Sequence, residues 1–485
     1  MMRLIGCFLL VGAVASITSP VLAAASPDVA KQLEREFAGC LGSEPDLARV
    51  TSLGDAYEVH LDVERAIKTW MTRAGVSAEV KMSPLIWKMT PRGRGKWTVE
   101  MDQPVSFTLR NGPLALEYSI QSAKTSGSYD ETEGYYNDVK GDYAGISISE
   151  MVGPPGHTTS IRYAIDTMSY QAGGTGTAEA VNTAGHYTSS GFKETLDFPA
   201  ATGGSAKPMT FTISSRSATA DTAAQGMNAK AMNKLLRWIV AHPGRREREA
   251  DRAVLRQLLR DALPVLKSLH STSLLSDLKV DVGGKVFAAD RARLDMEMTG
   301  LIADARFGER LEFSGIHMPS ATVPAWADGM VPTRIMVDFK ITGFNLLAPA
   351  GLAAEKIEPG KSPLVPASIS AALWNAFLPK GYATFELAAA DVSAPLYHAT
   401  AKGALDLRRA QPASGEVTIQ MDGMDAVNGA LLDAHAAQAL ALFTVASAAA
   451  EEDEQGKLTW RIEKPRTGEL LVNDVPLQKI LRLMQ

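Results

Sequence analysis

The sequence predicts a mainly β, α+β fold: a long curved antiparallel sheet carrying a few packed amphipathic helices. Three observations lead there. Apolar and polar residues alternate with period two over many runs, turn-forming clusters separate those runs, and helices of crossover length are missing between most of them. The clearest runs share one form: Leu294-Asp-Met296-Glu-Met298-Thr-Gly300-Leu301, Val337-Asp-Phe339-Lys-Ile341-Thr-Gly343-Phe344 and Val417-Thr-Ile419-Gln-Met421-Asp-Gly423-Met424. Each reads as a strand with one apolar face, then a glycine where the chain can turn sharply. A weaker copy, from Ile161 through Tyr163 and Ile165 to Met168, has threonine in place of the glycine.

Taken in chain order, residues 1–25 have the form of a secretory signal peptide. Arg3 precedes the apolar run Leu4–Val14, and Val21 and Ala23 stand at −3 and −1 of a peptidase site, with a cut two residues later as the alternative. Ser16, Thr18 and Pro20 interrupt the run before it reaches the ~20 apolar residues a spanning helix needs. Removing this segment takes away Arg3 alone, so the formal charge goes from −5 to −6, and Cys40 remains as the single cysteine. An internal disulfide is then excluded, and a chain of this length can bury a core without one. The mild acidity disfavours nucleic acid as a partner.

The region 26–220 is expected to be β-rich. It begins with a helix capped by Ser26, with Pro27 at its first position and Val29, Leu33, Phe37, Cys40 and Leu41 on one face. Alternating runs follow at Tyr57–Val63, Trp97–Met101, Val105–Leu109 and Leu114–Ile120, the last two joined by the turn signal Asn111-Gly112-Pro113. Ser126–Asn137, Gly173–Gly176 and Gly203-Gly204 are expected to be loops between polar-faced strands. The region 221–275 reads as helical, with Leu255, Leu258, Leu259, Leu263, Leu266 and Leu269 at helical spacing and a kink at Pro264. Its other face holds Arg248, Arg252, Arg256 and Arg260. Strands resume over 276–485, where helices are expected after Gly343 and Gly423, and Ala434–Ala450 reads as a packed helix with no transmembrane span.

Catalytic signatures are weak. Ser190-Gly-Phe-Lys193 and Ser276-Asp-Leu-Lys279 have Ser-x-x-Lys spacing without the Lys-Thr-Gly strand that chemistry requires. His157 and His186 follow glycines but have no carboxylate or cysteine at ligand spacing, so no metal or other cofactor is expected. The run Glu451–Glu454 reads as a solvated turn.

The closing pattern Gly456-Lys457-Leu458-Thr-Trp460, then Gly468-x-Leu470-x-Val472-Asn473-x-x-Pro476-Leu477, resembles the C-terminal end of the YdgA-like group of proteobacterial periplasmic proteins. With the repeated strand-glycine units it is also, more distantly, similar to AsmA-like envelope proteins. Asp474 stands where a glycine is commoner in the group. The resemblance covers roughly the C-terminal 200 residues and implies a sheet curved into a trough, among relatives associated with holding or moving lipids. Together these features lead to the expectation of a periplasmic, non-catalytic binding module. Its candidate ligand face consists of Leu294, Met296, Met298, Val337, Phe339, Ile341, Val417, Ile419 and Met421, with Leu278 and Val280 beside them, and its partner is a lipid or other apolar ligand. The alternative expectation is a structural or assembly factor that binds another envelope protein.

Overall fold

The computed structural model describes residues 25–41, 46–153, 157–199, 208–242, 251–319, 322–358, 364–409 and 411–482. The expected export signal, Gly203-Gly204 and Arg248 fall outside them. The protein is mainly β, and every strand pairing described below is antiparallel. The chain divides into two compact units, one of residues 1–269 with 347–373, the other of 270–346 with 374–485.

In the first unit, helix α1 (Pro27–Leu41) begins where the backbone N–H of Val29 donates to Ser26 Oγ at 3.3 Å. Its apolar stripe, Ala30, Leu33 and Phe37, is buried against the sheet, with the Phe37 ring edge-on to Trp87 at 6.1 Å. The sheet runs β1 (Ala48–Leu53), β2 (Ala56–Leu61), β4 (Leu85–Gly93), β5 (Lys96–Asn111), β6 (Leu114–Asp130), β7 (Tyr135–Val152), β8 (Thr159–Thr177), β9 (Ala180–Phe198) and β10 (Met209–Met227) in spatial order. Strand β3 (Glu79–Met82) pairs with the second half of β5. The turn at Gly112, where φ is +54°, joins β5 to β6 at the expected Asn-Gly-Pro signal.

Strands of up to 19 residues keep one apolar face across an aligned break, where Gln121, Gly145, Asp166 and Gly191 drop out of the ladder while the register on either side is unchanged. On β8 the apolar side chains run Ile161, Tyr163, Ile165 and resume at Met168 and Tyr170, a step of three where an unbroken strand steps by two. Ile165 and Met168 nevertheless pack on the same core, as do Ile120 and Ala123 of β6. Gly145 of β7 and Gly191 of β9 sit on this line with φ of +60° and +66°. A Cβ on Gly191 would run into the Asp166 carboxylate, and one on Gly145 into Gln121. The second unit repeats the device: Gly315, at φ +62°, lies over Asp290, between the buried Ala289 and Ala292.

Several expectations need correction. Most of Ser126–Asn137 and all of Gly173–Gly176 belong to β6, β7 and β8 and are not loops. Their glycines make room: a Cβ on Gly173 would strike the Asn137 carbonyl, and one on Gly174 would lie 2.6 Å from the Tyr135 ring. Val63 does not end a strand but opens helix α2 (Val63–Arg73), whose cap is Asp62, accepting from the Arg65 N–H at 2.9 Å. Between 221 and 275, β10 continues to Met227, and helices α3 (Ala229–Ala241) and α4 (Arg252–Asp261) precede strand β11 (Ser268–Val282). The leucine helix therefore stops before Pro264 and is not kinked by it; proline disfavours helical backbone in the preceding residue. Leu266 lies in the connection and Leu269 in β11, while Leu255 and Ala262 form a small core with Ala231 and Leu235. Arg256 does not face open solvent: its guanidinium donates to the Ile357 carbonyl at 3.2 Å.

In the second unit, β12 (Lys285–Thr299), β13 (Ala305–His317), β14 (Arg334–Phe344), β15 (Tyr382–Ser393), β16 (His398–Arg408), β17 (Ser414–Asp422) and β19 (Leu458–Lys464) pair in that order. The two-residue strands β18 (Glu451–Glu452) and β20 (Leu471–Val472) both join β19, and β21 (Val475–Pro476) joins β20. Gly343 and Gly423 take φ of +82° and +88°. Beyond them in the chain come helices α5 (Leu347–Lys356), which belongs to the first unit, and α7 (Met424–Asp433), as the sequence predicts; α6 (Ser370–Phe377) lies between. Helix α8 (Ala437–Ala448) has no fully buried residue, and Leu442 is 53% exposed, against the expectation of a packed helix; α9 (Leu477–Arg482) follows β21. No helix among the described residues is long and apolar enough to cross a membrane.

Candidate functional site

The strand register of the second unit brings together all nine residues of the candidate ligand face. One cross-strand row reads Leu294, Leu311, Val337, Ala390, Ala401, Ile419, Trp460. The next reads Met296, Glu309, Phe339, Leu387, Gly403, Val417, Ile462. A third holds Met298, Phe307, Ile341, Phe385 and Leu405, and a fourth holds Ala292, Phe313, Ile335, Val392, Ala399, Met421 and Leu458. Residues directly opposite in a sheet share a face, so strands far apart in sequence build one apolar surface. At ~4.8 Å per strand it spans about 29 Å across the seven strands from β12 to β19.

Relief on this surface follows from side-chain size. Phe307, Phe339 and Phe385 form a ladder across β13, β14 and β15, with ring centroids 6.1 and 5.5 Å apart. Along β16 the same face carries only Ala399, Ala401 and Gly403 before Leu405, so the floor drops there between the Leu387 and Ile419 sides. Toward β19, Trp460 turns its Nε1–H to the Ala446 carbonyl of α8 at 2.7 Å, which fixes the helix over that margin. The cover stops short of closing the face. All nine candidate residues are half-buried, as are Leu278 and Val280, and none is sealed like the core under α1.

The opposite face is ionic, and several of its charges are paired. Arg334 donates from Nε to Glu312 at 3.0 Å and from Nη1 to Asp391 at 3.2 Å, and His398 Nε2 lies 2.9 Å from Asp391. The His398 hydrogen bond, aided by the Arg334 charge, holds the Asp391 carboxyl below the ordinary range. Arg293 and Thr272 both donate to Asp295 at 2.7 Å, and the Arg293 bond does most to lower that carboxyl. Ion pairs of this kind keep the polar face solvated and leave apolar contact to the other.

Neighbours that sequence reading missed complete the site. Phe307, Leu311 and Phe313 follow the two-residue rhythm, but Glu309 interrupts it. On β15 a bulge between Leu387 and Ala390 shifts the rhythm by one, hiding Phe385 and Leu387 from a simple alternation count. The weaker copy at Ile161–Met168 belongs to the first unit, on the face that α1 partly covers. The Ser-x-x-Lys tetrads lie inside β9 and β11. His186 is also inside β9, opposite Asp221 with Nδ1 2.7 Å from its carboxylate, and not in a turn with His157. Glu451 and Glu452, expected in a turn, form the edge strand β18.

No known protein family, no curated protein and no solved structure matches this chain.

Proposed function

We propose that the protein is an exported, periplasmic component of the cell envelope whose second unit holds an acyl chain or similarly apolar ligand against its sheet without catalysing a reaction. One observation carries this reading: three strand-glycine runs widely separated in sequence converge on a single apolar face that stays half-covered. An apolar surface this wide is costly to leave in water, and monomeric proteins that keep one use it for recognition. Met296, Met298 and Met421 suit such a use, since unbranched thioethers adapt to a chain of variable shape. The resemblance to YdgA-like and AsmA-like envelope proteins, with the sheet curved into a trough that it implies, points the same way. In this mechanism the face removes apolar groups from water, and the helices over its margin set how much of the chain remains accessible.

Native mass spectrometry of protein purified from periplasm tests it. The expected result is an adduct of lipid mass, lost in a Phe339→Asp, Ile419→Asp double variant that keeps its far-ultraviolet circular dichroism. A clean ligand-free mass that stays unchanged after incubation with lipid extract overturns the proposal. Crosslinking in cells that returns one dominant protein partner on this face instead favours the assembly-factor alternative.

A further inference from the structure

From β12 to β17, the residues that the pairings place on the apolar face carry one charge, that of Glu309. Its cross-strand neighbours are Met296 and Phe339, and Phe307 and Leu311 flank it on its own strand. The side chain is half-buried, and among the described residues no hydrogen bond or ion pair reaches it. On the opposite face Asp295, Glu312 and Asp391 each meet an arginine or a histidine, while Glu297, Asp338, Glu386 and Glu416 stand among polar side chains; Glu309 alone is set in an apolar row. Protection of an exposed edge does not explain Glu309, because β13 is paired on both sides. A carboxylate among apolar side chains is the one group on this face that offers a charged partner to a cation or strong donor.

We infer that the apolar face is selective for a cationic amphiphile, whose chain lies along the sheet while its protonated amine pairs with Glu309. This inference rests on the chain-binding reading above and adds the chemistry of the ligand's polar group. Dodecylammonium, dodecanol and dodecanoate share one chain and differ in charge, so their binding separates the two claims. With the full-length protein at pH 7.5, below micelle-forming concentrations, displacement of an environment-sensitive dye should rank ammonium over alcohol over carboxylate. The expected gap between ammonium and alcohol is about tenfold, the size of one charge-assisted contact. Glu309→Gln should abolish that gap and leave dodecanol binding within about twofold. Glu297→Gln removes an exposed acid from the same sheet and should leave the gap intact, which controls for the net negative charge of the chain. Equal affinity for ammonium and alcohol, or a preference that survives Glu309→Gln, overturns the inference while chain binding stands. Failure of all three ligands to bind overturns chain binding itself.

Discussion

At the scale of the residue, the buried Glu131 departs furthest from ordinary carboxylate behaviour among the described residues. Glu131, 6% exposed at the end of β6, accepts from Trp97 Nε1 at 3.0 Å. Burial pushes its carboxyl up to about 7 against the Trp97 bond, and the charges of Glu36 and Asp130 add to the rise. A folded-state value above the unfolded one means that its contribution is fully present below about pH 4.5 and is lost as pH rises through about 7. Glu131→Gln, neutral at every pH, should therefore stabilise the protein by roughly 2 kcal/mol at pH 8 and by almost nothing at pH 4. Urea unfolding at the two pH values checks this, and an equal gain at both would refute the assigned cause. Cys40 moves the same way: burial raises its thiol, which suits the sequence expectation of a small packed side chain rather than a reactive one.

At the scale of the element, the aligned break through Gly145 and Gly191 and the two kinds of apolar face make separate predictions. Gly191→Ala places a Cβ at φ +66° and against Asp166, so a loss of about 2 kcal/mol or more is expected. Adding Asp166→Gly should restore the contact with the Asp166 side chain but not the backbone part; full recovery in the double variant would show that the left-handed conformation costs nothing. Leu33 of α1 is 0% exposed, and Leu33→Ala should cost about 2–5 kcal/mol. Met296→Ala on the half-covered face should cost only about 1 kcal/mol, since water already reaches the site. If chemical denaturation gives the two substitutions equal losses, the face of the second unit is core and not a binding surface. Strands with unbroken alternation were readable from sequence, as were helix caps such as Ser26 before Pro27. Alternation failed as a guide at Ile165–Met168, where an aligned break adds a residue, at Leu387–Ala390, where a bulge shifts the period, and at Glu309, where a charge sits in an apolar row.

At the scale of the whole molecule, the half-covered face predicts a native protein that binds an apolar dye at neutral pH. The signal should fall sharply in the Phe339→Asp, Ile419→Asp variant without loss of secondary structure, and a dye response that ignores those substitutions would place the exposed apolar surface elsewhere. The sequence by itself determined that the protein is mainly β and antiparallel, because a period of two with turn residues between runs leaves few other ways to bury one face. It also picked out nine residues of the candidate face, since Leu294, Val337 and Val417 each begin the same alternating unit. Only the tertiary structure decided that these units lie in shared rows, that Glu309 stands among them, and that the cover stops over Trp460. The physical reason is that alternation records which side chains want to leave water. Whether they do so depends on strand register and on what packs above the sheet, and both are set by contacts between residues distant in the chain.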